Sequence, residues 1–431
     1  MSDTNVARGL RVAFVCQWFA PEPVSQPTWI IEALAARGAD VRVLTGIPNY
    51  PTGRVVPGYQ AWRRRFEEVD GFSVQRTPLF PNHGSSALPR MLNYLSWAVS
   101  STVFGQRLLR SADVVLVYSS PATAAMSAMR ARRRGTPYVL LIQDVWPDSI
   151  FASGFLPGLA GRFARRLVNR FVDAAYRGAA RIVVTSPGMR DLLVDRGVPG
   201  ERVSVIFNWV PDGEVGTPPS SPGALRDRLG IPADAFVLMY AGNHGAAQGL
   251  DVAIRACAQV GPGRECHLVL VGDGVEKAAL EEVAQREAQG LVHFLGSRPR
   301  SEMAELMSQA DAQLVSLVSA PLFAVTTPSK LQSVLQAGQP VLVSADGDTA
   351  RLVQEGGAGR TAPAGDVDVL ARQLRALADL SAHELDELGR RGRNLYETRM
   401  AENIGAGLMM DTLRAAAPSR DAQPRKIRTS R

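Results

Sequence analysis

The chain has 431 residues, a net charge of +7 at pH 7 and three cysteines, Cys16, Cys257 and Cys266. It is long enough for two or three domains. The sequence has no CxxC pair and no Cys/His cluster at zinc spacing, so it indicates neither a disulfide framework nor a structural metal, which fits a reducing cytoplasm. No apolar run approaches the roughly 20 residues that span a bilayer and no signal peptide precedes the first strand, so we expect neither a membrane span nor secretion by a signal peptide.

The first half of the chain predicts short apolar strands that alternate with helical stretches. The helical stretches include residues 28–38 and the alanine-rich run 122–134. This alternation is typical of a doubly wound parallel sheet with helices on both faces. The predicted strands are residues 11–16, 40–45, 113–119, 138–144, 181–186 and 202–208.

Positive charge is concentrated in two of the predicted helices. One is the basic helix around Arg162, Arg165, Arg166, Arg170 and Arg177, and the other is the unusually apolar stretch 88–110, which carries Arg90, Arg107 and Arg110. Together they predict a patch that rests on an anionic membrane surface. The alternative is a core helix beside a solvated basic face. No recognition helix or aromatic-interleaved basic groove is evident, so we expect no binding to nucleic acid.

A segment rich in proline, glycine and serine, residues 211–223, separates the two halves and has no apolar periodicity. It predicts an interdomain linker. We therefore expect an N-terminal domain over residues 1–212, a linker over 213–223 and a second domain over 224–394.

The second half predicts another parallel sheet, and its strands end at glycine or another small residue. These strands are residues 236–243, 267–274, 291–297, 312–317 and 340–347. Glycine at the carboxyl edge of such a sheet lets backbone N–H groups approach an anion, and the next helix adds the positive end of its dipole. Three such turns at one edge predict a nucleotide-phosphate site.

Six segments, in order, resemble the retaining glycosyltransferases of family 4, in particular the capsule and exopolysaccharide branch that includes colanic acid and fucosamine transferases. The resemblance implies an α/β GT-B fold, with two doubly wound Rossmann-like domains facing a central cleft. It also implies acceptor binding by the N-terminal domain, donor binding by the C-terminal domain, and a final helix over 395–416 that returns to the N-terminal domain. We expect residues 417–431 to form a disordered basic tail. The segments are residues 19–53, 141–150, 184–199, 240–254, 270–281 and 327–344.

The resemblance implies sugar transfer with retention, in which the leaving pyrophosphate helps to deprotonate the incoming hydroxyl. Such a reaction needs cations or N–H donors that contact the departing phosphates, and the resemblance implies neither a cofactor nor a metal. It implies catalytic roles for Lys330, Asp144 and Gln143, and acceptor or loop roles for Ser25, Asn49 and Tyr50. The donor-binding residues that it implies are Gly242, Asn243, Gln248, Gly272, Asp273, Gly274, Gly296, Ser329, Lys330 and Ser333.

Several positions depart from the family pattern. Asn243 and Gln248 stand where many members carry the Arg and Lys that clamp the diphosphate. Val325 and Ser333 replace two glutamates, Gln143–Asp144 replaces a His–Asp pair, and Val24–Ser25 replaces a Gly–Gly loop.

The leading hypothesis is a retaining hexosyl or N-acetylhexosaminyl transferase. It would use a nucleotide diphosphate sugar, with UDP preferred, and a lipid-linked or oligosaccharide acceptor, at the inner face of the membrane. Two alternatives are a non-catalytic GT-B partner of another glycosyltransferase and a nucleotide-sugar epimerase. Among the five histidines, His83 and His244 are predicted on cleft-facing loops, His267 and His293 in strands, and His383 at the start of a solvated helix.

Overall fold

The computed structural model describes residues 9–83, 87–146, 158–211, 223–261 and 263–418. The chain divides into two compact units. The first comprises Met1–Thr185, Leu193–Ile206 and Ala406–Arg431, and the second comprises Ser186–Leu192 and Phe207–Gly405.

The first unit is built on an eight-stranded sheet in the order β3-β4-β2-β1-β5-β6-β7-β8. All neighbouring strands are parallel except β3 and β4, which form an antiparallel edge. The strands are β1 (Arg11–Val15), β2 (Asp40–Gly46), β3 (Arg65–Val69), β4 (Phe72–Thr77), β5 (Val114–Ser119), β6 (Tyr138–Ile142), β7 (Arg181–Val184) and β8 (Val203–Val205).

Six helices connect these strands within the described residues. They are α1 (Ser25–Ala36), α2 (Ala87–Phe104), α3 (Gln106–Ser111), α4 (Ala125–Arg132), α5 (Gly158–Gly178) and α6 (Pro187–Asp195).

The second unit contains a six-stranded, fully parallel sheet in the order β11-β10-β9-β12-β13-β14. The strands are β9 (Phe236–Ala241), β10 (Cys266–Val271), β11 (Val292–Gly296), β12 (Ala312–Ser316), β13 (Val341–Ser344) and β14 (Gly359–Ala362). The helices described after α6 are α7 (Ala224–Leu229), α8 (Leu250–Ala258), α9 (Lys277–Glu287), α10 (Arg300–Ser308), α11 (Pro321–Ala324), α12 (Ser329–Gln336), α13 (Asp348–Gly356), α14 (Val367–Ala378), α15 (Ala382–Arg399) and α16 (Glu402–Ala416). Most of α16 belongs to the first unit.

The apolar side chains of the second sheet form two cores, one on each face. Val237, Met239 and Val315 belong to one, whereas Leu238, Tyr240 and Leu314 belong to the other. Alternate residues of each strand therefore enter opposite layers, as a sheet covered by helices on both faces requires. The prediction of two parallel α/β sheets is confirmed, but β3, β4 and β14 were not predicted, because they lack a continuous apolar run.

The predicted helix 88–110 is two helices. The chain breaks at Gly105, where a Cβ atom would come within 2.3 Å of Leu44 Cδ2 and 2.6 Å of Ser101 O. Close packing of the backbone against Leu44 of β2 explains why this position is glycine. The predicted final helix 395–416 is likewise divided, between α15 and α16.

Two other predicted segments fall largely outside the described residues, namely the linker and the C-terminal tail. Their predictions are therefore neither supported nor contradicted. All three cysteines are free and buried. Among the residues described, no helix combines the length and the apolar character needed to cross a bilayer.

Candidate functional site

The glycine-rich edge of the second unit is assembled by the loops that follow β9, β10 and β11. The amide of Gly242 donates to Val271 O at 2.9 Å and that of Gly272 donates to Gly296 O at 2.9 Å. His244 N donates to Asp273 O at 2.8 Å. These bonds hold three consecutive turns in one layer at the carboxyl edge of the sheet.

Close backbone approach explains why glycine is needed at the centre of this layer. Gly272 has a φ of +136°, and a Cβ atom there would lie 1.9 Å from Gly242 O. Gly274 is equally constrained, since its Cβ would lie 2.3 Å from His244 O. Any larger residue at these positions would separate the two loops.

Lys330 lies at this edge, in the first turn of α12. Its Nζ is 3.6 Å from the centroid of the Tyr240 ring and 3.1 Å from the position that a Cβ of Gly242 would occupy. Burial lowers the pKa of Lys330 to about 7. The ring supplies a cation–π contact that offsets part of the lost hydration.

Tyr240 is the residue here that the sequence analysis missed. It is fully buried at the end of β9, and its hydroxyl donates to Asn243 O at 2.9 Å. It therefore supports both the lysine and the loop that follows the strand. The only sequence signal is the position of this tyrosine directly before the Ala241–Gly242–Asn243 turn.

The other predicted donor residues take different positions around Lys330. Gln248 Oε1 accepts from Gly245 N at 3.2 Å, so Gln248 braces its own loop. Asp273 Oδ1 accepts from Gly274 N at 2.8 Å. On α12, Ser329 is exposed. Lys330 and Ser333 are half-buried, and their spacing of three residues puts them on one face of the helix.

His244 was predicted to face a cleft, and this prediction is wrong. The residue is fully buried beneath the glycine turns, where neither ring nitrogen has a hydrogen-bond partner. Its pKa is lowered, mainly by burial and then by Lys277. A neutral imidazole is the form that this position favours. His267 and His293 lie in strands, as predicted, and their ring nitrogens are 3.0 Å apart.

In the first unit, Asp144 lies just beyond the end of β6. Ser120, which follows β5, donates its hydroxyl to Asp144 Oδ2 at 2.7 Å. The pKa of Asp144 is raised, because surrounding protein removes part of the hydration of its carboxylate although the residue keeps accessible surface. Gln143, directly before it, is half-buried.

Aromatic side chains gather at the same edge. Ring centroids are 5.1 Å apart for Trp18 and Tyr50, 4.7 Å for Tyr50 and His83, and 5.9 Å for Tyr94 and Trp146. Trp18, Tyr50 and His83 are half-buried, so part of each ring remains accessible. This aromatic cluster (Trp18, Tyr50, His83, Tyr94 and Trp146) was not predicted from the sequence as a unit.

Glu22 organises the loops under these rings. Its carboxylate accepts from the backbone amides of Phe19, Asn49 and Tyr50 at 2.7 to 2.9 Å. Burial raises its pKa to about 7 in spite of these donors and Arg76.

Asn49, a predicted acceptor residue, is buried at 1% exposure. Its amide donates to Ile47 O at 3.0 Å and its oxygen accepts from Asn93 at 3.2 Å. It therefore shapes the loop and does not present its side chain to a ligand. Ser25, the first residue of α1, is half-buried.

Comparison with known proteins agrees with this architecture. The family described as "Glycosyl transferase 4-like domain" matches residues 24–209, and "Glycosyl transferases group 1" matches residues 235–379. The chain is 30% identical over 332 residues to the putative colanic acid biosynthesis glycosyl transferase WcaI of Escherichia coli (strain K12), an alignment that covers 74% of this chain and 79% of that protein. It is 28% identical to the probable glycosyltransferase WbjE of Pseudomonas aeruginosa, with coverage of 68% and 72%.

Solved structures show the same fold. Anabaena Alr3699/HepE in complex with UDP aligns with a TM-score of 0.69 at 17% identity, over 94% of this chain and 100% of that one. Sucrose-phosphate synthase from Thermosynechococcus elongatus aligns with a TM-score of 0.71 at 19% identity, over 94% and 98%.

The two family matches and the WcaI relative define the class: the chain belongs to the family 4 glycosyltransferases and has the GT-B fold. Within that family it is a glycosyltransferase of polysaccharide biosynthesis.

Proposed function

We propose that this glycosyltransferase takes a hexosyl or N-acetylhexosaminyl group from a UDP-sugar and transfers it, with retention, to a lipid-linked or oligosaccharide acceptor at the cytoplasmic face of the membrane. One observation carries the donor part of the proposal. Lys330, a partly desolvated cation, lies against Gly242 at an edge where glycine turns leave backbone open to an anion. Such an arrangement suits a diphosphate.

In the proposed reaction the bond between the anomeric carbon and the diphosphate oxygen breaks, and the electron pair leaves with the diphosphate. An acceptor hydroxyl forms the new bond on the same face of the sugar, and its proton passes to the departing phosphate oxygen. Lys330 and the N-terminal turn of α12 stabilise the charge that develops on this leaving group. No protein nucleophile is required.

The choice of UDP is supported by proteins of the same fold. HepE has been crystallised with UDP, with UDP-glucose, and with UDP and glucose. In this chain Ser333 stands where many members have a glutamate, so its hydroxyl would contact the nucleoside in place of a carboxylate. The acceptor part of the proposal is supported by the Asp144–Ser120 pair beside the aromatic cluster, because aromatic rings and polar groups side by side suit a sugar.

A thermal-stability panel tests the donor assignment. UDP and UDP-sugars should raise the melting temperature by mass action, whereas GDP and ADP should not. The variant Lys330→Ala tests the contact itself, and it should lose most of the stabilisation by UDP. Stabilisation by GDP alone would reject UDP. UDP binding without transfer to any acceptor in membrane lipid extracts would favour a non-catalytic partner.

A further inference from the structure

The outer face of α2 is exposed and apolar along its whole length. Leu88 is 70% exposed and Val103 59%. Counting along the helix, the exposed residues are Leu88, Leu92, Leu95, Val99 and Val103. Their spacing of three or four residues puts them in one stripe, about 22 Å long at 1.5 Å per residue.

The stripe borders a shallow apolar hollow of about 580 Å³. Phe80, Leu92, Leu95, Val99, Val103 and Phe104 contribute most of its lining. An exposed apolar surface this continuous marks an interaction site.

Arginines lie at one end of the stripe. The Arg64 guanidinium is 4.7 Å from the centroid of the Phe104 ring, and Arg63 is its exposed neighbour. Arg107, one turn beyond Phe104, is also exposed. Trp62 and Phe66, 69% and 70% exposed, flank these arginines on and before β3.

This combination points to a lipid surface. Leucine and valine on one face, with tryptophan, phenylalanine and arginine at the rim, are the groups that sit at the boundary between acyl chains and anionic headgroups. A two-fold contact with a second copy of this chain would place each patch on itself, so α2 would offer the rim arginines no acidic partner. The helix itself, residues 87–104, contains no acidic residue.

The inner face of the same helix leads to the acceptor side of the proposed site. Asn93 Nδ2 donates to Asn49 Oδ1 and to Phe80 O, and Tyr94 belongs to the aromatic cluster. Leu92 and Leu95, their sequence neighbours, point outward. One helix therefore connects the exposed stripe with the residues proposed to bind the acceptor.

We propose that the α2 stripe, with Arg63, Arg64 and Arg107 at its rim, is the surface by which this protein docks on an anionic bilayer. The docking brings membrane-anchored acceptors to the aromatic cluster on the inner side of α2. This inference rests on the proposed function for the acceptor, but the docking itself can be measured without any sugar chemistry.

Flotation of the full-length protein with vesicles tests it. Wild type should float with phosphatidylcholine vesicles that contain phosphatidylglycerol, and less in high salt, because the Debye length falls from about 10 Å at 0.1 M to about 3 Å at 1 M. The triple variant Leu92→Gln, Leu95→Gln, Val99→Gln should lose more than tenfold in binding. Arg63→Gln and Arg64→Gln should each cost about fivefold at low salt, and together should remove the preference for anionic vesicles.

Leu408→Gln is the matched control, since Leu408 and Leu92 are both 47% exposed; it should float like wild type. The triple change Arg165→Gln, Arg166→Gln, Arg170→Gln examines the basic face of α5 as the alternative surface. The inference is overturned if wild type does not float, if the α2 variant floats normally, or if only the α5 variant fails.

Two further readouts separate the possible failures. The α2 variant should keep the melting temperature of wild type and its stabilisation by UDP. If the wild-type protein floats but does not bind UDP, the proposed donor is rejected and the docking inference stands. Sedimentation should show the same mass for wild type and the α2 variant. A wild-type dimer that the α2 changes dissociate would assign the stripe to a second copy instead.

Discussion

The ammonium group of Lys330 lies 3.6 Å from the centroid of the Tyr240 ring, so a lysine whose pKa is lowered by burial sits on an aromatic face near the end of β9. The ring offers the buried ammonium a cation–π contact, and the ammonium nitrogen lies 3.1 Å from the position that a Cβ of Gly242 would occupy. We expect this arrangement to place a positive charge beside an anionic ligand, at some cost in hydration.

Replacement of this lysine tests its role in leaving-group stabilisation. Lys330→Ala should cost about 2 to 4 kcal/mol in kcat/KM, as the loss of one charged electrophilic donor typically does. Arg286→Ala is the control, because Arg286 lies in the last turn of α9, away from the glycine turns, and pairs with Glu287 at the surface. Steady-state transfer rates should differ by less than about threefold for the control. Activity of Lys330→Ala within the same range would remove the lysine from the mechanism.

The lowered pKa of Lys330 predicts a pH-dependent affinity for the donor. The free lysine titrates at about 7, and a neighbouring diphosphate raises its pKa, so the complex holds more protons than the free protein. Affinity should therefore fall as the pH rises above 7, by at most about tenfold per pH unit. Calorimetry with UDP-glucose in two buffers of different ionisation enthalpy should show proton uptake near pH 8. A flat profile, identical to that of Lys330→Ala, would contradict this assignment.

Gly272 should tolerate no side chain. In Gly272→Ala the new Cβ would meet Gly242 O, and the alanine would also have to hold a φ of +136°. We expect a loss of about 2 to 4 kcal/mol in the free energy of unfolding and loss of UDP binding. Gly290→Ala is the matched control: its φ is +80° and no atom lies within 4 Å of its Cβ position, so it should cost about 1 kcal/mol and leave UDP binding intact. Equal losses in the two variants, measured by urea titration, would show that loop contact is unimportant.

Replacement of Asp144 should lower the turnover rate more than it weakens the affinity for the nucleotide. Asp144→Asn keeps the shape of the side chain but removes the charge that faces Ser120, so kcat should fall at least tenfold while the Kd for UDP stays within about twofold. Because burial raises the pKa of this carboxyl, wild-type activity should decline as acid protonates it, at a pH above that of an ordinary aspartate. A lower melting temperature with unchanged specific activity would instead indicate an aspartate that braces its loop.

Local sequence was sufficient for much of the fold and part of the site. Continuous apolar runs identified most strands, because strands buried on both faces need such runs, and glycine at the strand ends identified the turns that form the glycine-rich edge. Lys330 was visible because lysine is rare in this chain and it follows Pro328 and Ser329. The sequence did not predict the short polar strands β3 and β14, because they lie at the edges of their sheets and carry few apolar residues.

Only the tertiary structure decided which side chains meet and which faces remain uncovered. Tyr240 supports Lys330 because parallel pairing brings the end of β9 near the start of α12, a contact that no local pattern encodes. His244 and Asn49 both lie in loops where the sequence suggested exposed side chains. In the structure both side chains are buried, and that of Asn49 bonds within its own loop and to Asn93. Apolar periodicity placed leucines along α2, but whether that stripe packs or stays exposed depends on what lies beside it. Sequence determines the strands and turns through local sterics and burial pattern, whereas the site and the surface arise from contacts between distant segments.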